Sequence, residues 1–364
     1  MRSSARPASR SRRNSPASGL VRVARGADAL RAGRPVRLKD RGVTGMFAVE
    51  TLSAERLARL DDAWLVLTHA RARTLKIRLY TAEVVALKLR GGETVEQLRA
   101  IADPTADLDT PLKGPFQAVR SKLPRAFAAS VKLAKLAGLL PAAVVTRGAL
   151  RGGVEVPVGD ILAYEGEMVA KLSIVTRARV PLEGAEQAEL VAFRAGDGAP
   201  ENYAVVIGQP PSGEPVLSRL HSECFTGDLL GSLKCDCGAQ LRSAIETISK
   251  AGGGVLLYLA QEGRGIGLIN KLRAYRLQDQ GFDTLEANER LGFEADERLY
   301  DVAARMLSLL GYRSVRLITN NPDKVAGLAA AGIEVRERVP LIIPGNKHNR
   351  AYLKAKAEKA GHLF

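Results

Sequence analysis

The sequence predicts an α/β (α+β) protein built from two mixed α/β domains. Its length of 364 residues allows two domains of ordinary size. The hydrophobic content of 46% and the charged content of 26% are typical of a globular protein. Short apolar runs alternate with helical apolar stripes, most clearly after residue 200. No apolar run approaches the roughly 20 residues that span a bilayer, so we expect no membrane segment.

The first 27 residues differ in composition from the rest of the chain. They contain seven arginines and no lysine or acidic residue, and they are rich in Ser, Ala and Pro. We predict that residues 1–27 form a disordered tail, because such a segment buries too little apolar surface to offset its ordering entropy. An organellar transit peptide is the alternative. Removing these seven charges from the net charge of +15 leaves +8, which suits an anionic small molecule as well as a nucleic acid.

Residues 28–200 are predicted to form the first domain. The apolar runs Trp64–Leu67 and Ala142–Val145 are typical of strands. The stretch Ala126–Ala137 is rich in Ala, Leu and Lys and predicts a helix that ends at Gly138. We interpret Pro157–Asp160 as a turn.

Residues 201–364 are predicted to form the second domain, in which strands and helices alternate. The apolar positions 241, 244, 245 and 248 share one helical face, as do positions 302, 303, 306 and 310. The predicted strands are Tyr203–Ile207, Val216–Leu220, Val255–Leu259 and Val315–Ile318. This alternation predicts an α/β sheet, in which ligands bind at the carboxyl ends of the strands.

All three cysteines of the chain, Cys224, Cys235 and Cys237, fall within fourteen residues. Thiolates are soft ligands that suit zinc, and three protein ligands leave one tetrahedral position open, as in catalytic zinc sites. Zinc in such a site lowers the pKa of bound water from about 15.7 toward about 7, which supplies hydroxide for attack on an amidine or formamide carbon. Two alternatives stay open: three inert buried cysteines, or His221 as a fourth ligand that closes the site.

Two further segments carry groups that suit an anionic ligand. The glycine-rich stretch Gln261–Gly267 follows a predicted strand and precedes a helix, so its N–H groups and Arg264 suit a phosphate. Thr319–Lys324 occupies the same kind of position after the last predicted strand, with Pro322 in the first helical turn. Asp296, just before another predicted helix, is interpreted as a possible helix cap.

Taken together and in order, these segments resemble the GTP cyclohydrolase II family over about 160 residues, from residue 203 to Phe364. The motifs that carry the resemblance are Arg219-Leu220-His221-Ser222-Glu223-Cys224, Thr226-Gly227-Asp228, Cys235-Asp236-Cys237-Gly238, Gln261-Glu262-Gly263-Arg264, Leu277-Gln278-Asp279-Gln280-Gly281, Ala295-Asp296-Glu297-Arg298 and Thr319-Asn320-Asn321-Pro322. The resemblance implies that the second domain has the GTP cyclohydrolase II fold.

The same resemblance implies an activity: hydrolysis of GTP to a diaminopyrimidine ribotide, formate and pyrophosphate, the first committed step of riboflavin biosynthesis. It also implies one zinc ion per subunit, Mg²⁺ on the GTP triphosphate and a homodimer. We expect a cytoplasmic protein without a membrane partner, because the sequence shows no signal or membrane segment and its thiols suit a metal. We expect no nucleic-acid partner, because the cysteines lack paired C-x-x-C spacing.

Site residues follow from the matched motifs. Cys224, Cys235 and Cys237 are the implied zinc ligands. Tyr275 is implied to lie near the reacting ring, Asp296 to accept a proton, and Arg298 to act as a nucleophile or as a transition-state charge stabiliser. The implied GTP-contacting residues are Arg219, Leu220, His221, Ser222, Glu223, Gln240, Glu262, Gly263, Arg264, Thr284, Thr319 and Lys324.

The first domain resembles 3,4-dihydroxy-2-butanone 4-phosphate synthase at Gly33–Val36 and Leu136–Ala142. The acidic metal-binding run of that family is replaced here by Lys39–Gly45, and its His-Thr-Glu-Ala motif by Arg125–Ala128. We therefore predict a degenerate, non-catalytic domain that serves dimerisation, stability or regulation. For the whole protein, the alternatives to a zinc hydrolase acting on GTP are a bifunctional enzyme, a zinc-containing nucleic-acid-binding module, and a nucleotide-binding regulator that has lost catalysis.

Overall fold

The structure is a computed structural model, and it describes residues 18–345 and 347–349 except 149, 197, 211 and 212. The chain forms two mixed α/β units, each built around one sheet, which confirms the predicted fold class. Within these residues, no helix combines the length and the apolar character that crossing a membrane would need.

The first unit contains a six-stranded sheet. Its strand order is β4-β3-β5-β2-β1-β6, and its neighbours are antiparallel except for the parallel pair of β1 and β6. The elements are α1 (Gly19–Arg31), β1 (Val36–Lys39), β2 (Val43–Ala48), α2 (Ala54–Leu57), β3 (Ala63–Thr68), α3 (His69–Thr74), β4 (Val84–Lys88), α4 (Val95–Ala102), a 3₁₀ turn (Pro104–Ala106), α5 (Arg125–Leu136), β5 (Ala142–Thr146), β6 (Val154–Pro157) and α6 (Val158–Lys171).

The second unit contains a seven-stranded sheet with the order β13-β12-β10-β11-β9-β8-β7. Its elements are β7 (Ser173–Arg179), β8 (Ala188–Arg194), β9 (Asn202–Gly208), β10 (Val216–Ser222), a π-helical turn (Phe225–Leu229), α7 (Cys237–Lys250), β11 (Gly253–Leu259), a 3₁₀ turn (Glu262–Gly265), α8 (Leu268–Asp279), α9 (Thr284–Arg290), α10 (Tyr300–Leu309), β12 (Ser314–Ile318), α11 (Pro322–Ala330) and β13 (Glu334–Val339). Each strand that the sequence predicted lies inside an observed strand.

The parallel strands of the second sheet end at one common edge. β12, β10 and β11 are neighbours and run in the same direction, so their carboxyl ends meet at one edge. Cys224 follows β10, Glu262 follows β11 and Thr319 follows β12. The sequence prediction of a ligand site at the carboxyl ends of strands is therefore consistent with this topology.

The predicted disordered tail is too long. Helix α1 begins at Gly19 with Ser18 as its N-cap, while residues 1–17 lie outside the described part of the chain. Val23 and Ala27 belong to the core cluster of the first sheet, and Leu20 is buried one helical turn earlier. The prediction missed this apolar stripe because it used the average composition of residues 1–27, in which arginine is abundant.

The predicted domain boundary at residue 200 is also displaced. Strands β7 and β8 pair with each other and then with β9, so the second sheet already begins at Ser173. The predicted turn at Pro157–Asp160 is wrong as well, because β6 passes directly into α6 at Val158. Proline fixes φ near −65°, which also suits the entry into a helix.

The predicted helix at Ala126–Ala137 is confirmed as α5. Ala137 is its C-cap, and Gly138 follows with a φ of +70°. A residue in this left-handed conformation ends a helix, and glycine adopts it without strain.

Candidate active site

The three cysteines converge at the carboxyl end of β10. Cys224 lies just after that strand, whereas Cys235 and Cys237 lie at the start of α7. Their Sγ atoms all lie within 4.8 Å of one another, and Cys224 and Cys235 are 3.8 Å apart. Across the described residues, this is the one group of three or more His, Cys, Asp or Glu side chains close enough to hold a metal ion.

Two glycines leave room for the thiols. A Cβ at Gly227 would lie 2.7 Å from the Cys235 Sγ and 3.0 Å from the Cys224 Sγ. The Gly227 N–H donates a hydrogen bond to the Cys224 Sγ at 3.3 Å. A Cβ at Gly238 would lie 2.2 Å from the carbonyl oxygen of Gly227. The π-helical turn and the first turn of α7 can therefore approach each other only with glycine at both positions.

Lys271 on α8 reaches this cluster from the opposite side. Its Nζ donates to the Cys224 Sγ at 3.0 Å, to the Thr226 Oγ1 at 3.1 Å and to the Glu262 Oε1 at 2.8 Å. Burial by itself lowers the pKa of Lys271, but Glu262 and Cys224 outweigh burial and hold that pKa above its ordinary value. Lys271 is therefore a fixed ammonium beside a thiolate.

Hydrogen bonds among the three thiols make their pKa values differ. Hydrogen bonds from the thiols of Cys235 and Cys237, joined by the one from Lys271, hold the pKa of Cys224 far below its ordinary value. The pKa values of Cys235 and Cys237 are raised, chiefly because each donates toward Cys224. The cluster thus carries its first negative charge on Cys224.

His221 lies outside the metal-ligand group. Its Nε2 is 3.1 Å from both carboxylate oxygens of Asp228, which also accepts from the Cys224 N–H and the Tyr258 hydroxyl, each at 3.0 Å. Burial lowers the pKa of His221 more than Asp228 raises it. We assign the proton to Nε2, because an ionised carboxylate only accepts. The buried Nδ1 then keeps a lone pair, with no partner among the residues described.

Arg219 forms the floor of the site beside α7. Its Nη1 donates to the Ile318 carbonyl at 3.1 Å, and its Nη2 donates to the Gln240 Oε1 at 2.5 Å. Gln240 in turn donates to Asp236. Burial lowers the pKa of Arg219 to about 10, which leaves the guanidinium charged at neutral pH.

Two loops meet on the other side of the site. The first contains Gly263 and Arg264, with φ of +63° and +65°; the latter is a strained conformation for a residue with a side chain. The Arg264 carbonyl accepts from the Glu297 N–H at 3.1 Å, and its Nη1 donates to the Ala295 carbonyl at 3.3 Å. The strained turn thereby fixes the loop that carries residues 294–298.

That second loop holds an ion pair between Asp296 and Arg298. The Arg298 Nε lies 2.8 Å and 3.0 Å from the two carboxylate oxygens, and its backbone N–H donates to Asp296 at 3.0 Å. Burial raises the pKa of Asp296, but the contacts with Arg298 outweigh burial and lower it. The predicted helix cap is wrong, since Leu299 is the N-cap of α10 and its side chain makes no capping bond.

One pocket brings the sequence-predicted residues together. All of them line it except Leu220 and Asp296. Leu220 packs into the core on the other face of β10, because alternate residues of a strand point to opposite faces. Asp296 reaches the pocket only through Arg298. Six cations line the pocket beside two carboxylates: Arg219, Lys234, Arg264, Lys271, Arg298 and Lys324, with Glu223 and Glu262.

No role was predicted from the sequence for several residues in and beside this pocket, although Asp228, Asn320 and Asn321 lie in the matched motifs. Lys271 is the most important, since it touches Cys224 across 47 positions of the chain. Asp228 holds both His221 and the backbone of Cys224. Asn288, Asn320 and Asn321 are buried in the lining. Lys271 shares the buried face of α8 with Asn270, Ala274 and Leu277, and no local pattern in the sequence marks it as a partner of Cys224.

Comparison with known proteins identifies the family. The model of the GTP cyclohydrolase II family matches residues 173–340. A GTP cyclohydrolase-2 from Azospirillum brasilense is 50% identical over 360 residues, which cover 94% of each chain. The chain belongs to the GTP cyclohydrolase II family.

Other relatives match part of the chain. A GTP cyclohydrolase-2 from Actinobacillus succinogenes is 54% identical over 196 residues, which cover 54% of this chain and 90% of the relative. A riboflavin biosynthesis protein RibBA from Bacillus cereus is 46% identical over 254 residues, covering 65% of this chain and 64% of the relative. The matched family region begins at Ser173, the first residue of β7, so GTP cyclohydrolase II sequence and second sheet start together.

Proposed function

We propose that this enzyme catalyses the zinc-dependent hydrolysis of GTP to 2,5-diamino-6-(5-phosphoribosylamino)pyrimidin-4(3H)-one, formate and pyrophosphate in riboflavin biosynthesis. The observation that carries the proposal is the position of the three thiols, which open into the same pocket as six cationic side chains. A metal-ligand cluster and a polyanion site are thereby combined in one cleft.

Cys224, Cys235 and Cys237 would hold one zinc ion. The donor set is soft, and Gly227 supplies both space and an N–H donor toward Cys224. A zinc ion bound there supplies Lewis acidity, which lowers the pKa of a coordinated water toward about 7. Lys271 holds the Cys224 thiolate in place, and such outer contacts orient metal ligands. His221 is engaged with Asp228, so the three thiols would hold the ion without it.

The cationic side of the pocket would bind the triphosphate together with Mg²⁺. Arg264 and Arg298 lie on two loops that are hydrogen-bonded to each other, so both guanidinium groups are fixed before the substrate arrives. Lys324 lies across the pocket at the start of α11, where its Nζ donates to the Leu220 carbonyl at 2.7 Å. Cations fixed in this way stabilise the charge that develops when pyrophosphate leaves.

Arg298 would act as a charge stabiliser rather than as a nucleophile. A guanidinium is nucleophilic only after it loses a proton, and Asp296 is a weak base because Arg298 holds its pKa low. The two residues form a tight ion pair that keeps the guanidinium protonated. Asp296 would then act as a positioning residue for Arg298.

Tyr275 would hold a proton near the reacting ring. Its hydroxyl lies 3.4 Å from the Thr226 Oγ1, next to the cysteine cluster. Burial raises the pKa of Tyr275, so the hydroxyl stays protonated at neutral pH and can donate.

The first domain is proposed to be non-catalytic, since it lacks the acidic run and the histidine motif of the synthase it resembles.

A homodimer is favoured by exposed apolar side chains on two neighbouring segments of the second domain. The hydrogen bond from Lys271 to Thr226 joins these two segments. The exposed side chains are Phe225, Leu229, Leu230 and Leu233 on one segment, and Ile269 and Leu272 on the other. The cytoplasmic location and the lack of a nucleic-acid partner stay predictions.

The test is incubation of the purified protein with GTP, zinc and magnesium, followed by quantification of formate, pyrophosphate and the diaminopyrimidine product. We expect one zinc per chain by elemental analysis, and loss of both zinc and formate release in Cys235→Ser. Formate release at the wild-type rate from a zinc-free variant would refute the role of the metal. Absence of formate from the zinc-loaded wild type would refute the whole proposal.

A further inference from the structure

Helix α8 contacts the active site with one face and the first domain with the other. On one face, Lys271 contacts Cys224 and Tyr275 contacts Thr226, so this face forms a wall of the active site. On the other face, Asn270, Arg273 and Leu277 point into the first domain. The active-site wall is therefore also part of the domain interface.

Polar contacts fix this helix to the first domain. The Arg273 guanidinium binds both carboxylate oxygens of Glu50, at 2.9 Å and 3.3 Å, and its Nε lies 3.3 Å from Asp103. Glu50 is itself held by the Leu140 N–H at 2.9 Å. Asn270 donates to the Gly138 carbonyl at 3.2 Å, at the end of α5. A two-pronged guanidinium contact of this kind sets the orientation of the helix as well as its distance.

The interface is also apolar and continuous with a domain core. Side chains from the turn before α8, from α8 and α9, and from the turn after α9 join one buried cluster with strands of the first sheet. The contributors from the second domain are Ile266, Ala274, Leu277, Ala287, Leu291 and Phe293, and those from the first sheet include Phe47, Leu65, Leu67, Val85 and Val144. A displacement of the first sheet would therefore be transmitted to α8 and α9, because close-packed interiors do not deform smoothly.

The loop with Asp296 and Arg298 is held in the same way. Lys135 on α5 forms an ion pair with Glu297, the residue between them, and both side chains are about four-fifths buried. Gly292 brings this segment against the first domain, where a Cβ would lie 2.9 Å from both the Pro141 Cγ and the Thr68 Oγ1. Two separate parts of the active site thus rest on the first domain.

We propose that the first domain is a positioning element for the active site, and that Lys135 is a positioning residue that acts on Arg298 through Glu297. The proposal rests on the proposed function, because its effect is read in the hydrolysis of GTP. A domain without its own chemistry then contributes to catalysis by fixing the α8 wall and the 294–298 loop. Misplacement of a catalytic group by about 1 Å costs up to about 100-fold in rate.

The test compares two lysines one helical turn apart on α5. Lys135→Glu breaks the ion pair across the interface, whereas Lys132→Glu breaks the pair with Glu165 inside the first domain. We expect Lys135→Glu to lower kcat about tenfold with KM for GTP within about twofold of wild type. Hydrogen–deuterium exchange should rise in residues 292–299 but not in α7. Lys132→Glu should match wild type in both measurements.

Exchanging the charges of Lys135 and Glu297 tests whether the ion pair itself supports kcat. Lys135→Glu combined with Glu297→Lys restores the ion pair but not the hydrogen bond that the Glu297 Oε1 accepts from the Glu294 N–H at 2.8 Å, so kcat should recover part of its loss. If Lys135→Glu fails to fold, Glu297→Gln removes the same pair without introducing a buried negative charge and should lower kcat similarly.

The proposal is overturned if the pair-breaking variant that folds equals Lys132→Glu in kcat and in exchange at residues 292–299, or if the charge reversal restores nothing. A zinc-loaded wild type that releases no formate instead refutes the proposed function, so the two failures are distinguishable.

Discussion

The Nζ of Lys271 lies 3.0 Å from the Sγ of Cys224, and the same ammonium is anchored by Glu262 at 2.8 Å. An ammonium in this position stabilises a thiolate and orients it, which are the two requirements of a metal ligand. The contact joins helix α8 to the end of strand β10.

Lys271→Met should weaken metal binding while preserving the fold. The variant keeps the length of the aliphatic chain but removes the donor to Cys224, and loss of an outer contact of this kind costs about 10- to 100-fold in metal affinity. Competition with a chromophoric chelator measures the affinity. Lys250→Met is the control, since Lys250 is exposed on α7 and pairs only with Glu246 among the residues described. Equal zinc affinity in Lys271→Met and Lys250→Met contradicts the prediction.

Gly227→Ala should prevent metal binding through a steric clash between the new methyl group and the cysteine thiols. The added Cβ would lie 2.7 Å from the Cys235 Sγ, so the thiols must separate. We expect zinc content well below one per chain, and formate release that falls in proportion. Gly166→Ala, on the open face of α6 with no atom within 4 Å of its Cβ, should retain full zinc content. Normal zinc in Gly227→Ala would show that the cluster tolerates the methyl group.

Asp296→Asn should slow catalysis by releasing Arg298 rather than by removing a base. We expect kcat to fall about 10- to 100-fold, with the activity of Arg298→Lys lower still because lysine cannot make the two-pronged contact. Rapid quench in cold SDS at mildly alkaline pH, which preserves acid-labile phosphoramidates, separates the two roles of Arg298 when GTP is labelled at the α-phosphate. A charge stabiliser leaves no labelled protein, whereas recovery of a phosphoramidate on Arg298 during turnover establishes the nucleophile.

Asp107→Asn should destabilise the first domain at neutral pH. Arg71 is 1% exposed and binds both oxygens of Asp107, at 2.6 Å and 2.9 Å, so the variant leaves a buried guanidinium without its counter-charge. The expected loss is about 3–5 kcal/mol in the free energy of unfolding. Asp28→Asn breaks an exposed pair with Arg31 and should cost under about 1 kcal/mol.

The Asp107 contribution should also depend on pH in a defined direction. Burial raises the pKa of Asp107, but Arg71 and Lys113 outweigh it and lower the pKa below the unfolded value of about 3.9. A lowered pKa gives stability that is full above the unfolded pKa and is lost as the pH falls toward the folded one. Urea unfolding at pH 7, 5 and 3.5 should therefore show the gap between wild type and Asp107→Asn unchanged from pH 7 to 5 and smaller at pH 3.5. A gap that widens at pH 3.5 contradicts the assignment.

The sequence by itself determined the fold class, the alternation of the second domain and the residues of the metal cluster. These features are local: strands are short apolar runs, and Cys224, Cys235 and Cys237 lie within fourteen residues. The ordered motifs also predicted the family, which the comparisons confirm. The roles of the individual site residues stay predictions.

Only the tertiary structure decided which distant groups meet. It placed Lys271 on Cys224, assigned β7 and β8 to the second sheet, and showed that the opposite face of α8 is buried in the first domain. The physical reason is that composition and periodicity report the burial of a segment but not its partner. A contact between residues far apart in sequence depends on how both sheets and the interface pack, and no local pattern encodes it.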